Sequence, residues 1–121
     1  MSKIDIEKLK NEIIERLKPL DPDKIILFGS YAYGEPNEES DIDLYIVTKD
    51  DYIPKSWREK NDLVLLYSQR LADMYVHFPL DIIVHTKKMH QKFIESKSSF
   101  SKTILQQGRV IYEHKDGHRV A

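Results

Sequence analysis

A small mixed β-sheet of three or four strands flanked by helices, an α/β arrangement of the α+β kind, is the fold this chain predicts. Three observations predict it. Short apolar, β-favouring runs (KIILF at 24–28, IDLYIV at 42–47, LDIIVH at 80–85) recur along the chain. Between them lie stretches whose apolar residues return every three or four positions, the period of a helix. Finally, 121 residues with 40% hydrophobic content suffice for one domain with a modest single core.

The elements follow in order. Ile6, Leu9, Ile13, Leu17 and Leu20 mark an amphipathic helix that ends near Lys18, because Pro19 disfavours helix at the residue before it. Asp21-Pro22-Asp23 turns the chain into a first strand, Lys24–Phe28. A short helix runs from Ser30 to about Tyr33, stopped by Gly34 and Pro36, and a second strand spans Ile42–Val47 before the polar turn Lys49-Asp50-Asp51. From Ser56 to Tyr75 the pattern is helical, with Leu63, Val64, Tyr67, Leu71, Met74 and Tyr75 on one face. A third strand, Leu80–His85, carries Asp81 near its start. Helices over Thr86–Ser96 and Ser99–Gln107 lead to Gly108, a C-terminal stop before a last strand, Arg109–Tyr112. The domain thus covers 1–113, and the tail 114–121, with little to bury, is expected to be disordered.

Composition narrows the function classes. Formal net charge is −1, with the two signs mixed, so no basic stripe is available to track nucleic-acid backbone and no DNA partner is expected. Without cysteine, disulfides, thiolate zinc sites and thiol nucleophiles are excluded. The opening MSKIDIEKLK is charged from the start, and no apolar run is long enough for a membrane span. A soluble, cytoplasmic protein is the expectation.

The chemistry concentrates in GSYAYGEPNEESDID, from Gly29 to Asp43. A Gly-Ser pair at a strand end, opening a helix, lets a phosphate approach backbone N–H groups and the Ser30 hydroxyl. On the following strand, side chains two apart share a face, so Asp41 and Asp43 project together while Ile42, Leu44 and Ile46 enter the core. Asp81 opens an otherwise apolar strand, where a charge has no structural reason to sit, and is the candidate third carboxylate. Two carboxylates about 5 Å apart repel by roughly 3 kcal/mol at an effective dielectric near 20. A fold retains such a cluster when a cation relieves it or protonation does; magnesium is the simpler answer at neutral pH, since hard oxygen ligands suit it and it shares its shell with phosphates.

Each part alone is weak, since acidic pairs in turns are usually solvated and Gly-Ser is commonplace. Together, the four fixed positions arise by chance at on the order of 10⁻⁵ per start site. Asp81 alone would read as a strand-start or turn residue. Other features read more plainly. His85 with His90, or His114 with His118, lacks a third ligand at metal-binding spacing; Tyr31 and Tyr33 fit ordinary packing better than base stacking; Arg58 and Arg70 fit a solvated helix face. No Walker-type run and no Ser-His-Asp ordering is present.

The run GSYAYGEPNEESDIDLYIV resembles the nucleotidyltransferase superfamily that includes DNA polymerase β and kanamycin nucleotidyltransferase, and is most similar to its minimal nucleotidyltransferases. The resemblance extends from the first helix to Gly108-Arg109-Val110-Ile111-Tyr112 and implies a polymerase β-like fold. It further implies that Gly29 and Ser30 bind ATP and that Asp41, Asp43 and Asp81 bind two Mg²⁺ ions and are catalytic. Many relatives carry Arg between Ala and Gly of the GS-x-A-x-G segment; Tyr33 stands there in this chain, which removes a cation from the phosphate site. Relatives of this size pair with HEPN-domain proteins in modules similar to toxin–antitoxin systems, the transferase attaching AMP to a tyrosine of the HEPN ribonuclease. The leading expectation is therefore a Mg²⁺-dependent adenylyltransferase acting on a partner protein, since 121 residues leave no room for an acceptor-gripping helical domain. A homodimeric transferase acting on a small molecule, and an antitoxin that works by contact alone, remain alternatives.

Overall fold

The computed structural model describes residues 6–33 and 40–114; the side chain of Tyr33, the stop residues Gly34 and Pro36, and the tail residues 115–121, with His118, lie outside the described part. Four strands form one mixed sheet in the order β3-β2-β1-β4, with β1 at Lys24–Phe28, β2 at Ile42–Val47, β3 at Leu80–His85 and β4 at Arg109–Glu113. β1 is antiparallel to both β2 and β4, and β2 is parallel to β3. The parallel step needs a crossover, supplied by helix α3 (Trp57–Arg70), whereas the antiparallel β1–β2 pair is joined through the short helix α2 (Ser30–Tyr33).

Side-chain alternation sends the strands' apolar residues to both faces of the sheet, so the core is double rather than single. On one face Ile25, Leu27, Ile42, Leu44 and Ile46 pack with Leu9, Ile13 and Leu17 of helix α1 (Ile6–Leu17) and with Leu63 and Tyr67 of α3. Each fully buried aliphatic side chain there contributes about 2 kcal/mol in transfer terms. On the other face Ile26, Tyr45 and Val47 pack with Ile104 of helix α5 (Ser99–Gln107), and Phe28, Ile83, Val110 and Phe93 join them, the last from helix α4 (Lys87–Ser96).

Helix ends follow local chemistry. α1 gives way at Leu17 to a 3₁₀ turn, Lys18–Leu20, that carries Pro19 and closes with Asp21 in the left-handed region at φ 50°. Ser56, Thr86 and Ser98 each cap the next helix by accepting the N–H three residues on, from Glu59, Met89 and Ser101. Gly108 ends α5, but at φ −68°; what demands glycine there is crowding, since a Cβ would stand 2.7 Å from Ile26 Cγ2 and overlap the Ile104 carbonyl.

One expectation needs correction. The helix from Ser56 to Tyr75 is not continuous: α3 ends at Arg70, and a 3₁₀ segment, Ala72–Val76, follows. The tighter turn, three residues per turn, keeps both Leu71 and Met74 buried and rotates Tyr75 outward to 43% exposure. His114, the first residue of the expected tail, donates its N–H to the Asp23 carbonyl at 2.8 Å and pairs through Nδ1 with Asp21 at 2.7 Å. Arg70, read as a solvated helix residue, donates from Nε to the Arg16 carbonyl at 2.9 Å and so caps the end of α1.

His85 and His90 are packing residues, as their missing third ligand suggested. The Tyr45 hydroxyl lies 2.8 Å from His85 Nδ1 and 2.9 Å from His90 Nδ1, so it donates to one ring and accepts from the other when both are neutral. Burial, then the charge of Lys60, pushes His85 down to about 4; burial also lowers His90. A folded pKa below the unfolded value means that the unfolded chain binds more protons between the two. Stability is therefore whole above about pH 6.5 and falls as pH drops toward 4. We expect the melting temperature to fall by several degrees between pH 7 and 4.5, with a shallower slope in His85→Gln. Equal slopes in the two proteins would show that this histidine does not govern the acid limb.

Candidate active site

The site lies where β1 ends and β2 begins. Gly29 leaves β1 at φ 75°, a left-handed conformation that glycine adopts without strain, and starts the turn into α2. The Ala32 N–H bonds the Gly29 carbonyl at 3.0 Å, closing that turn. Ser30 is then the first residue of α2, which places its hydroxyl and N–H beside the bend. Tyr31, next along, is 2% exposed and belongs to the hydrophobic core, so it is a packing residue as the sequence suggested.

Strand register brings the acidic residues to this bend. Asp43 pairs with Phe28 across the antiparallel β1–β2 ladder and with Asp81 across the parallel β2–β3 ladder. Paired residues on neighbouring strands project from the same face, with Cβ atoms about 5 Å apart. Across the sheet the face therefore reads Phe28, Asp43, Asp81. The Asp43 carboxylate leans onto Gly29: a Cβ built on Gly29 would overlap Oδ2 and stand 3.2 Å from Cγ. Asp41, exposed, precedes β2 by one residue, while Ile42, Leu44 and Ile46 point into the opposite core.

The electrostatics of the cluster are those of like charges held together. Partial burial, then the charges of Asp81 and Asp41, push the Asp43 carboxyl above the ordinary carboxylate range. The Asp81 charge also reaches Tyr75, whose hydroxyl is raised by burial and by that carboxylate. Among the described residues no three Asp, Glu, His or Cys groups already stand close enough to enclose a metal ion. The acidic groups form an open array, not a closed cage. Their chemistry nevertheless fits a hard divalent cation: oxygen donors, unrelieved mutual repulsion, and a neighbouring glycine that admits close approach.

Comparison with known proteins agrees with this geometry. The family model for polymerase β nucleotidyltransferases matches residues 8–117. The chain belongs to that nucleotidyltransferase family. Its mixed sheet with flanking helices is the polymerase β-like fold. Two Methanocaldococcus jannaschii proteins, each provisionally named a protein adenylyltransferase, are similar to it. One is 36% identical over 88% of this chain and 90% of its own length; the other is 30% identical over 78% and 90%. A provisionally named Sulfolobus solfataricus nucleotidyltransferase shares the fold at TM-score 0.58 and 17% identity, covering 96% of this chain and 86% of its own. A toxin–antitoxin structure with AMP-PNP does so at TM-score 0.55 and 23% identity, covering 88% and 75%. Among the described residues no helix is long and apolar enough to cross a membrane.

All five residues that the motif singles out in this nucleotidyltransferase, Gly29, Ser30, Asp41, Asp43 and Asp81, fall at one end of the sheet. Phe28 and Tyr75 border them and escaped the sequence reading. Phe28 was legible in principle, since an antiparallel pair turning through Gly29 sets it opposite Asp43. Tyr75 was not, because only the switch to a 3₁₀ turn brings it out of the core face.

Proposed function

We propose that this nucleotidyltransferase is a Mg²⁺-dependent adenylyltransferase that moves AMP from ATP to a hydroxyl of a partner protein, a HEPN-domain toxin whose activity the modification silences. The observation that carries the reading is Asp43 flanked in register by Asp81 and leaning on the Gly29 bend, its carboxyl raised by burial and by the charges of Asp81 and Asp41. The names of the Methanocaldococcus relatives support protein as the acceptor, and the AMP-PNP in the toxin–antitoxin structure supports the nucleotide and the setting.

In this reading Asp41, Asp43 and Asp81 hold two magnesium ions. The bound ions would supply positive charge to the acceptor oxygen and to the departing pyrophosphate. Gly29, having no side chain, lets the triphosphate lie against the backbone, and Ser30 donates from its hydroxyl and N–H to phosphate oxygen. The acceptor oxygen bonds to the α-phosphorus as the bond to pyrophosphate breaks. The acceptor's proton leaves to solvent; the negative cluster by itself opposes that loss, and a bound cation would remove the opposition, so cation and substrate act together.

Incubating the protein with ATP, magnesium and the HEPN-domain partner should add one or more AMP units to the partner's mass, and chelation should prevent it. A partner silenced with no change in mass would instead favour inhibition by contact. Labelling of a small hydroxyl compound with no protein acceptor would favour the small-molecule enzyme.

A further inference from the structure

A row of aromatic rings on the α4–α5 face of the sheet ends at the carboxylates. Phe93 stacks on Tyr45, with centroids 5.0 Å apart and planes at 27°. Phe100 meets Phe93 edge-on at 5.7 Å, and meets Phe28 edge-on at 5.7 Å and 74°. Phe28 is the residue opposite Asp43, and Tyr45 lies two positions along β2 on the same face. The row therefore runs from the buried interior toward the acidic end, and Phe100 is its last helix-borne member. Tyr45 is fully buried, whereas Phe100 is 43% exposed.

That exposure is unusual for a ring so firmly placed. Phe100 is held by T-shaped contacts with both Phe28 and Phe93, and 43% of the residue still stays open to solvent. A flat apolar surface, held still and left wet, suits a planar ring of a ligand better than it suits water. Ribose sets a nucleobase one sugar's length from the α-phosphate, and Phe100 stands one phenyl ring beyond Phe28, itself the neighbour of Asp43.

We propose that Phe100, supported by Phe28 and Phe93, is the seat for the nucleobase of the nucleoside triphosphate. The assignment rests on the transferase reading of the carboxylates and adds to it the determinant of base affinity. Phenyl rings offer no hydrogen bond to a base edge, and stacking tolerates any base while rewarding larger ones. Adenine and guanine nucleotides therefore bind within a few-fold of each other, and pyrimidine nucleotides bind more weakly.

Calorimetric titration of AMP-PNP and of inorganic tripolyphosphate, both with magnesium, tests this on wild type, Phe100→Leu and Phe100→Trp. Leucine keeps apolar bulk against Phe28 and Phe93 and protects the fold, but has no flat face. We expect Phe100→Leu to weaken AMP-PNP roughly 10- to 100-fold and to leave tripolyphosphate within about twofold, while Phe100→Trp binds AMP-PNP as tightly as wild type or more so. Unchanged AMP-PNP affinity in Phe100→Leu overturns the seat while leaving the transferase reading intact, and it does so whether or not the acceptor's KM rises. Equal weakening of both ligands overturns it too, as the mark of a general structural loss. Wild type that binds neither ligand removes the transferase reading, and the seat with it.

Discussion

Replacing Asp43 with Asn should lower nucleotide transfer by at least about 10³-fold while raising the melting temperature by a few degrees. The two effects share one cause. Asp43 is pushed toward its neutral form by burial and by the charges of Asp81 and Asp41, so its ionised state opposes folding at neutral pH. An amide of the same shape removes that repulsion and keeps the packing against Gly29. The same charge is what a divalent cation needs, and several kcal/mol of transition-state stabilisation depend on the ion. Opposite movement of stability and activity separates a functional residue from a structural one. Transfer rates and thermal melts of the two proteins, measured side by side, decide the matter. Retained transfer would sink the assignment, whereas a lower melting temperature would show that the repulsion is relieved in some other way.

Gly29→Ala should lose both activity and stability, the former by about 10²-fold and the latter by about 1–3 kcal/mol. Alanine at φ 75° is strained wherever it occurs, and its Cβ would in addition meet Asp43 Oδ2. These two costs can be separated. In an Asp43→Ala background the second vanishes and the first remains, so Gly29→Ala should cost less stability there than in wild type. Denaturant titration of the four proteins gives the coupling. Purely additive costs would mean that the Asp43 carboxylate is free to swing clear of the bend.

Much of the architecture was readable along the chain. Lys24–Phe28, Ser30–Tyr33, Ile42–Val47 and Leu80–His85 each begin and end where apolar periodicity and the breakers at Pro19 and Gly29 place them. The site was readable for a related reason. Gly29, Ser30, Asp41 and Asp43 lie within one hairpin-like step, so their relation is nearly local, and the period of a strand puts both carboxylates away from Ile42 and Leu44. The long helix was misread past Arg70, because Leu71, Met74 and Tyr75 satisfy a helical period and a 3₁₀ turn separates them only by its tighter winding. The double core was also hidden: fully apolar runs such as KIILF look alike whether one face or both are covered.

Local order along the chain thus determined which elements form, where the glycine bend falls and which carboxylates flank it, since these depend on neighbours a few residues apart. Tertiary structure alone decided that β3 lies parallel beside β2 with Asp81 level with Asp43, and that Phe100 arrives beside Phe28 from 72 positions further on. Register between distant strands, and the landing of a helix on a sheet, are chosen by packing of the whole core, which no short window of residues contains.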